Sequence, residues 1–215
     1  MTDTQRIFTY DKQFLPAVTA GMDEAGRGPL AGPVVAACVI MPLDKMIDGI
    51  YDSKKVSEKK RERLYEEIVR AATAYGVGIV PNEEIDRINI LNATKEAMRQ
   101  AYGQMGRSPD LLLVDAVTGL DLPCEIKSIV KGDATSYSIA AASIVAKVTR
   151  DRLMRAYDAQ YPVYGFAKHK GYGTAAHAAA LRAAGACPLH RRTFISRIVT
   201  PSGGEKDTEN VGIEQ

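Results

Sequence analysis

Four carboxylates stand where their neighbours make a charge costly. Asp23 and Glu24 close a short apolar alternation (Ala17, Val18, Ala20, Met22) and run straight into Gly26-Arg27-Gly28. Asp115 ends the most apolar run of the chain, residues 111–114, and Asp133 follows Gly132 behind another alternating segment. A carboxylate at the end of a buried strand costs desolvation unless a cation or hydrogen-bond donors meet it. Several such acids brought together repel one another, and bound divalent cations relieve that repulsion. All-oxygen ligation without His or Cys suits Mg²⁺ or Mn²⁺ better than zinc. The two glycines beside Arg27 supply a bend and leave backbone N–H groups open to an anion. Acids, glycines and an arginine together fit a metal ion facing a phosphodiester. Each group alone has a plainer reading: a solvated Asp-Glu pair before a turn, a turn residue at Asp115, a helix cap at Asp133. The three plain readings become less attractive in combination.

Other polar groups fit the same picture. Ser53 and Lys54, in the loop 52–55, could contact a phosphate or form an exposed turn. His169 lies between Lys168 and Lys170, and this cationic segment is expected to lie against phosphates. His177 and His190 read as structural. No Ser-His or Cys-His arrangement offers a protein nucleophile. Gly26, Gly28 and Gly32 resemble a dinucleotide fingerprint, but that motif opens a helix. Here Pro29 and Pro33 bracket the last glycine and a β-branched apolar run, 34–41, follows. A second strand is therefore expected, and the dinucleotide reading fails.

The elements that must position these groups follow from periodicity. Strands are expected at 17–23, 34–41, 75–80, 111–114 and 125–130, with the first two joined as an antiparallel pair by the glycine-proline turn. Ser57 should cap a helix reaching residue 72, and Asn82 should cap a second one. A long helix over 135–159 begins with small apolar residues suited to lying on a sheet, and Thr174 should cap a short helix over 175–184. The order predicts an α/β domain on a mixed five-stranded sheet, flanked by helices and closed by a helical C-terminal portion. If the first and fourth strands are neighbours, all four acids converge at strand ends, where sites gather in open sheets.

Composition bounds the class. The 215 residues suit one large domain, with no repeat or interdomain linker visible. Hydrophobic content of 46% and charged content of 25% are ordinary for a globular protein. The net charge of +2 hides an asymmetry: residues 147–197 hold ten Lys and Arg against Asp151 and Asp158, a local +8. Such a stretch is expected to face a nucleic-acid backbone, unless it is a solvated helix face. Three scattered cysteines argue against a disulfide framework or a structural zinc site. Without a signal-peptide core or a run long enough to span a bilayer, a cytoplasmic protein is expected. Residues 1–13 read as a flexible lead-in, 14–198 as a single catalytic domain, and 199–215 as a disordered acidic tail.

Asp23-Glu24-Ala25-Gly26-Arg27-Gly28, Asp52-Ser53-Lys54, Lys131-Gly132-Asp133, Ser138-Ile139-Ala140-Ala141-Ala142-Ser143 and His169-Lys170-Gly171-Tyr172-Gly173-Thr174 together resemble ribonuclease HII. The closing run Pro188-Leu189-His190-Arg191-Arg192-Thr193-Phe194 resembles that family's C-terminal pattern. Departures are small: Met22 where Val is common, Val56 where Leu is usual, Thr193 where Ser is common. The resemblance implies an RNase H-like fold and metal-dependent endonucleolysis of RNA in RNA–DNA hybrids and at single ribonucleotides in duplex DNA. It also implies cuts 5′ of the ribonucleotide that leave 3′-hydroxyl and 5′-phosphate ends. Asp23, Glu24, Asp115 and Asp133 would be the catalytic metal ligands, holding Mg²⁺ or Mn²⁺. Gly26, Arg27 and Gly28 would read the 2′-hydroxyl, and Tyr172 would stack on the next deoxyribose. Ser53, Lys54, His169 and Lys170 complete the expected substrate contacts, and a monomer is expected. The competing readings are a structure-specific DNA nuclease, which has no use for a 2′-hydroxyl reader, and a non-catalytic nucleic-acid-binding module, which could do without the acids.

Overall fold

The computed structural model describes residues 1–199. Strand β1 (Thr19–Ala25) pairs antiparallel with β2 (Val34–Ile40), and β2 pairs antiparallel with β3 (Ala74–Val80). On the other side of β1 lies β4 (Leu111–Asp115), parallel to it, followed by parallel β5 (Glu125–Ile129). The sheet order is β3-β2-β1-β4-β5, so the first and fourth strands are neighbours as the site requires. Helices α1 (Asp3–Lys12), α2 (Glu58–Ala71), α3 (Asn82–Gln104) and α4 (Tyr137–Gln160) flank the sheet, with α5 (Phe166–His169), α6 (Ala175–Ala184) and α7 (Arg192–Val199) at the C-terminal side. None of the described helices is long and apolar enough to cross a membrane.

Strand β2, with the sequence VVAACVI, is buried along its whole length because helices cover both faces. Ala37 and Val39 pack with Ile7 of α1, Leu64 and Ile68 of α2 and the small residues of α4. Ala36 and Cys38 pack on the opposite face with Ala97 and Met98 of α3. Close approach of helix to sheet is bought by glycine: a Cβ on Gly21 would lie 2.0 Å from the Ser138 carbonyl carbon at the start of α4.

Strand alternation then aims the acids. Ala20 and Met22 of β1, and Leu112 and Val114 of β4, join the core beneath α3. Asp23 and Asp115 therefore face the α4 side. Met22 is paired with Val114, so the next residue of each strand lies side by side at the carboxyl ends of two parallel strands.

Three expectations are corrected. Residues 1–13 are not a loose lead-in, because α1 is a fully capped helix. Thr2 accepts from the Gln5 N–H and the Gln5 side chain accepts from the Thr2 N–H. Ile7 and Phe8 are buried, and Asp11 accepts from the Ser138 N–H at 2.8 Å, satisfying an orphan donor of α4. Asn82 is not a cap: Pro81 precedes the helix, and the Asn82 side-chain amide donates to the Pro188 carbonyl at 2.7 Å. Strand β1 does not end at residue 23 but stays paired through Glu24 and Ala25. Apart from Val199, the acidic tail expected over 199–215 lies outside the described residues.

Gly21→Ala should lower Tm by roughly 5–10 °C, since overpacking against backbone has no flexible side chain to yield. A melting curve within 2 °C of the parent would show that α4 can lift without cost.

Candidate active site

One carboxylate oxygen from each of Asp23, Asp115 and Asp133 lies within 4.8 Å of the other two. Asp23 and Asp115 come from the parallel strand ends, while Asp133 sits in a 3-10 turn (Gly132–Ala134) leading towards α4. The Gly132 N–H donates to Asp115 Oδ1 at 2.7 Å, and the Glu24 N–H donates to Asp23 Oδ1 at 2.7 Å. Backbone on either side of these acids is held in the left-handed region, at Ala116 (φ 47°) and Lys131 (φ 55°). Strain of this kind persists only where surrounding contacts impose it.

Burial, and then the charges of Glu24 and Asp115, holds the Asp23 carboxyl well above the usual carboxylate range. Burial also raises Asp133, with Asp52 and Asp115 adding to the effect. Glu24 lines the same pocket but is not one of the three converging acids, as its position next to Asp23 on a continuous strand dictates. Its Oε1 lies 3.5 Å from Arg27 Nη1, and burial raises its carboxyl despite that arginine. Glu24 Oε2 is buried without a hydrogen-bond partner. Crowded, partly unsatisfied carboxylate oxygens of this kind suit a hard divalent cation.

The bend after β1 begins at Gly26, whose φ of 99° favours glycine and whose Cβ would strike Arg150. Gly28 is different, because a Cβ there would meet nothing within 4 Å. The loop from Gly26 to Pro33 is held from behind by two buried guanidinium groups. Arg150 of α4 donates to the carbonyls of Pro33, Ala31 and Lys170 at 2.9, 3.1 and 2.9 Å. Arg191 donates to Gly26, Arg27 and Gly32 at 2.6, 2.8 and 2.8 Å. Both arginines are 0% exposed, and neither forms an ion pair with a carboxylate among the described residues. Burial lowers Arg150, and burial together with Arg150 pushes Arg191 down to about 9.

Of the expected substrate contacts, Gly26, Arg27, Gly28, Ser53, Lys54 and Tyr172 line the pocket with the four acids. His169 and Lys170 do not. Both ring nitrogens of His169 are engaged internally, with the Tyr164 carbonyl at 2.7 Å and the Gly171 N–H at 3.2 Å. Lys170 is buried, and its amine turns to the Ala167 carbonyl and to Glu58, 3.7 Å away. Lys147 was not singled out from the sequence, yet it lines the pocket with its ammonium 2.7 Å from Asp151 and 6.0 Å from the Tyr172 ring centre. Nothing local distinguishes it from the other basic residues of its helix.

The expected basic face is also corrected. Arg152 pairs with Glu62 and Glu66, and Arg155 pairs with Glu58 and Glu62, all from α2. Together with Arg150, Arg191, Lys147 and Lys170, six of the ten cations are engaged within the protein. The local +8 ignored acids supplied by a helix some ninety residues away.

If crowding of carboxylates destabilises the metal-free protein, Asp23→Asn should raise its Tm by about 3–6 °C in EDTA. Millimolar Mg²⁺ or Mn²⁺ should raise the parent's Tm and move the variant's far less. A variant that melts lower, with no ion effect on the parent, would refute the crowding.

The sheet order, the strand-end acids and the glycine-arginine-glycine loop can be set beside known proteins. The family model for ribonuclease HII matches residues 20–197. A ribonuclease HII of Acetivibrio thermocellus is 56% identical over 180 residues, covering 84% of this chain and 70% of its own. One from Geobacter metallireducens is 58% identical over 175 residues, covering 81% of this chain and 82% of its own. The crystal structure of the ribonuclease H2 from Pyrococcus horikoshii OT3 matches with a TM-score of 0.71 at 27% identity, covering 84% of this chain and 96% of that one. With the family model spanning most of the sequence and the relatives agreeing in both sequence and fold, the chain belongs to the ribonuclease HII family.

Proposed function

We propose that this chain is a metal-dependent endoribonuclease that hydrolyses RNA in RNA–DNA hybrids and at single ribonucleotides embedded in duplex DNA. The cut falls 5′ of the ribonucleotide and leaves 3′-hydroxyl and 5′-phosphate ends. The observation that carries the reading is the meeting of Asp23, Asp115 and Asp133 in the pocket that Gly28 and Tyr172 also line. Mg²⁺ or Mn²⁺ held there would supply Lewis acidity, making it easier for a water to give up a proton to solvent and attack a phosphodiester. Asp23, Asp115 and Asp133 would be its ligands, with Glu24 beside them.

The protein's own groups account for substrate choice. The 2′-hydroxyl is what separates RNA from DNA, and backbone freed of a side chain can approach it closely. Gly26 is required by the turn, whereas the open space at Gly28 leaves room for a sugar, so recognition rests on the second glycine. Ser53 and Lys54 offer donors to the flanking phosphates, and Lys147 lines the same pocket while held by Asp151. Tyr172 is 42% exposed at the pocket, and its ring stacks on the deoxyribose that follows the ribonucleotide. We read residues 14–198 as the catalytic unit of a cytoplasmic monomer, with α1 capping its long helix.

The decisive assay is a duplex carrying one ribonucleotide, incubated with Mg²⁺ or with EDTA and mapped to the nucleotide, beside an all-deoxy duplex. Cleavage only in the ribonucleotide duplex, only with metal and only on the 5′ side, is expected. Cutting of the all-deoxy duplex at a similar rate would favour a DNA nuclease instead. Asp133→Asn should abolish most turnover while hybrid binding survives, because removing a negative charge does not weaken contact with a polyanion. Near-normal cleavage at millimolar Mg²⁺ would remove Asp133 from the site. Tyr172→Ala should cut more slowly by about 10- to 100-fold with little change in Tm. An unchanged rate would return the tyrosine to the role of a turn residue.

A further inference from the structure

All three histidines of the chain gather behind Tyr172. His177 and His190 are 0% and 2% exposed, and neither lines the pocket. His177 Nδ1 lies 2.9 Å from the Tyr172 carbonyl oxygen, and His177 Nε2 lies 3.1 Å from His190 Nε2. His190 Nδ1 lies 3.0 Å from the Cys187 N–H nitrogen and 3.2 Å from the Cys187 sulfur.

The two ends of this chain determine where every proton sits. A carbonyl can only accept, so His177 Nδ1 carries hydrogen and donates to Tyr172. In a neutral His177 the Nε2 is then an acceptor, so His190 Nε2 must donate to it. That leaves His190 Nδ1 bare, able to accept from the Cys187 N–H. The Cys187 carbonyl, also 3.3 Å from His190 Nδ1, already accepts from the His190 N–H. Adding a proton to either ring would set two N–H groups against each other, or one against the Cys187 N–H. Burial keeps both rings neutral, lowering His177 and pushing His190 down to about 4. The titratable groups facing the pair are His169, stacked on His177 at 4.5 Å, Tyr164, edge-on to His190 at 4.8 Å, and the Cys187 thiol.

The object held by this chain is the peptide of an exposed ring. The Tyr172 N–H donates to the His169 carbonyl at 3.0 Å, and the Tyr172 carbonyl accepts from both Thr174 and His177. Among the described residues the cations Lys147 and Arg150 lie 6.0 and 5.8 Å from the ring centre, too far to clamp it. The held peptide therefore limits the directions the ring can take. We propose that His177 and His190 are positioning residues, whose ordered hydrogen bonds from Cys187 to the Tyr172 carbonyl fix the tyrosine ring over the pocket. The proposal rests on the reading that Tyr172 contacts substrate.

Two substitutions separate positioning from packing. His177→Asn can place an amide N–H where Nδ1 stood and lose the link to His190. His177→Gln reaches the Nε2 position and loses the donor to Tyr172. On the single-ribonucleotide duplex, His177→Gln should lower kcat/KM by about 3- to 10-fold, the loss of one hydrogen bond, and His177→Asn should recover most of it. Adding His177→Gln to Tyr172→Ala should cost nothing more. Equal losses in the two variants that track their melting temperatures would overturn the proposal. So would normal kcat/KM in His177→Gln alongside a slow Tyr172→Ala, an outcome that leaves the reading of the tyrosine standing. An unchanged rate in Tyr172→Ala would instead fell that reading, and the positioning role of the two histidines with it. Ring-¹⁵N spectra at neutral pH judge the chain itself: His177 should show the Nδ1–H tautomer, and His169 and His190 the Nε2–H form. A His177 protonated at Nε2 would overturn the proposal whatever the kinetics.

Discussion

Everything at this site depends on forcing like charges together. Parallel pairing of β1 with β4 sets Asp23 beside Asp115, and the Gly132 N–H locks Asp115 against the turn that carries Asp133. Left alone, three carboxylates in a largely buried place would take up protons or move apart. The backbone of Asp23 is held in place, because β1 is the central strand and its face is packed under α4 at Gly21. The fold therefore holds an arrangement of acids that could receive a metal ion. A site already assembled needs little reorganisation on binding.

The second layer is a frame of backbone carbonyls. The loop carrying Arg27 has no regular structure, so its carbonyls need partners, and Arg150 and Arg191 supply them. Each guanidinium offers five donors in a rigid plane, which a lysine could not match. Arg150 also grips the Lys170 carbonyl, and the Leu30 N–H donates to the Gly171 carbonyl at 2.8 Å. The glycine-arginine-glycine loop and the tyrosine loop are thus braced by the same side chain, although some 140 residues part them. Their spacing across the pocket is a property of α4.

Much of this was legible beforehand, and the failures have physical reasons. Periodicity located all five strands, four of them with a buried face and β5 by its half-covered isoleucines, and acids at strand ends stood out against apolar neighbours. The helix α1 was missed because only Ile7 and Phe8 mark its inner face, although the Thr2–Gln5 capping box was there to be read. The α2 stripe of Glu58, Glu62 and Glu66 was recognisable as a polar helix face. That it answers Arg152 and Arg155 is tertiary information, absent from any local window. His169 and Lys170 were drawn towards phosphate by their neighbours' charge, whereas a turn with φ of 53° at Lys170 directs them inward.

The two buried arginines have a consequence for how the protein meets a polyanion in different ionic media. Lys54 is exposed, so mobile anions gather round it and its field fades as ionic strength rises. Arg150 and Arg191 are buried away from mobile ions and bonded to carbonyl dipoles, with Asp151 and Asp86 the carboxylates that act on them without pairing. Their field crosses low-dielectric protein to the loop that ends the pocket. It acts as a fixed polarity rather than a screened one. Salt therefore weakens the field of these two buried charges less than that of an exposed side chain.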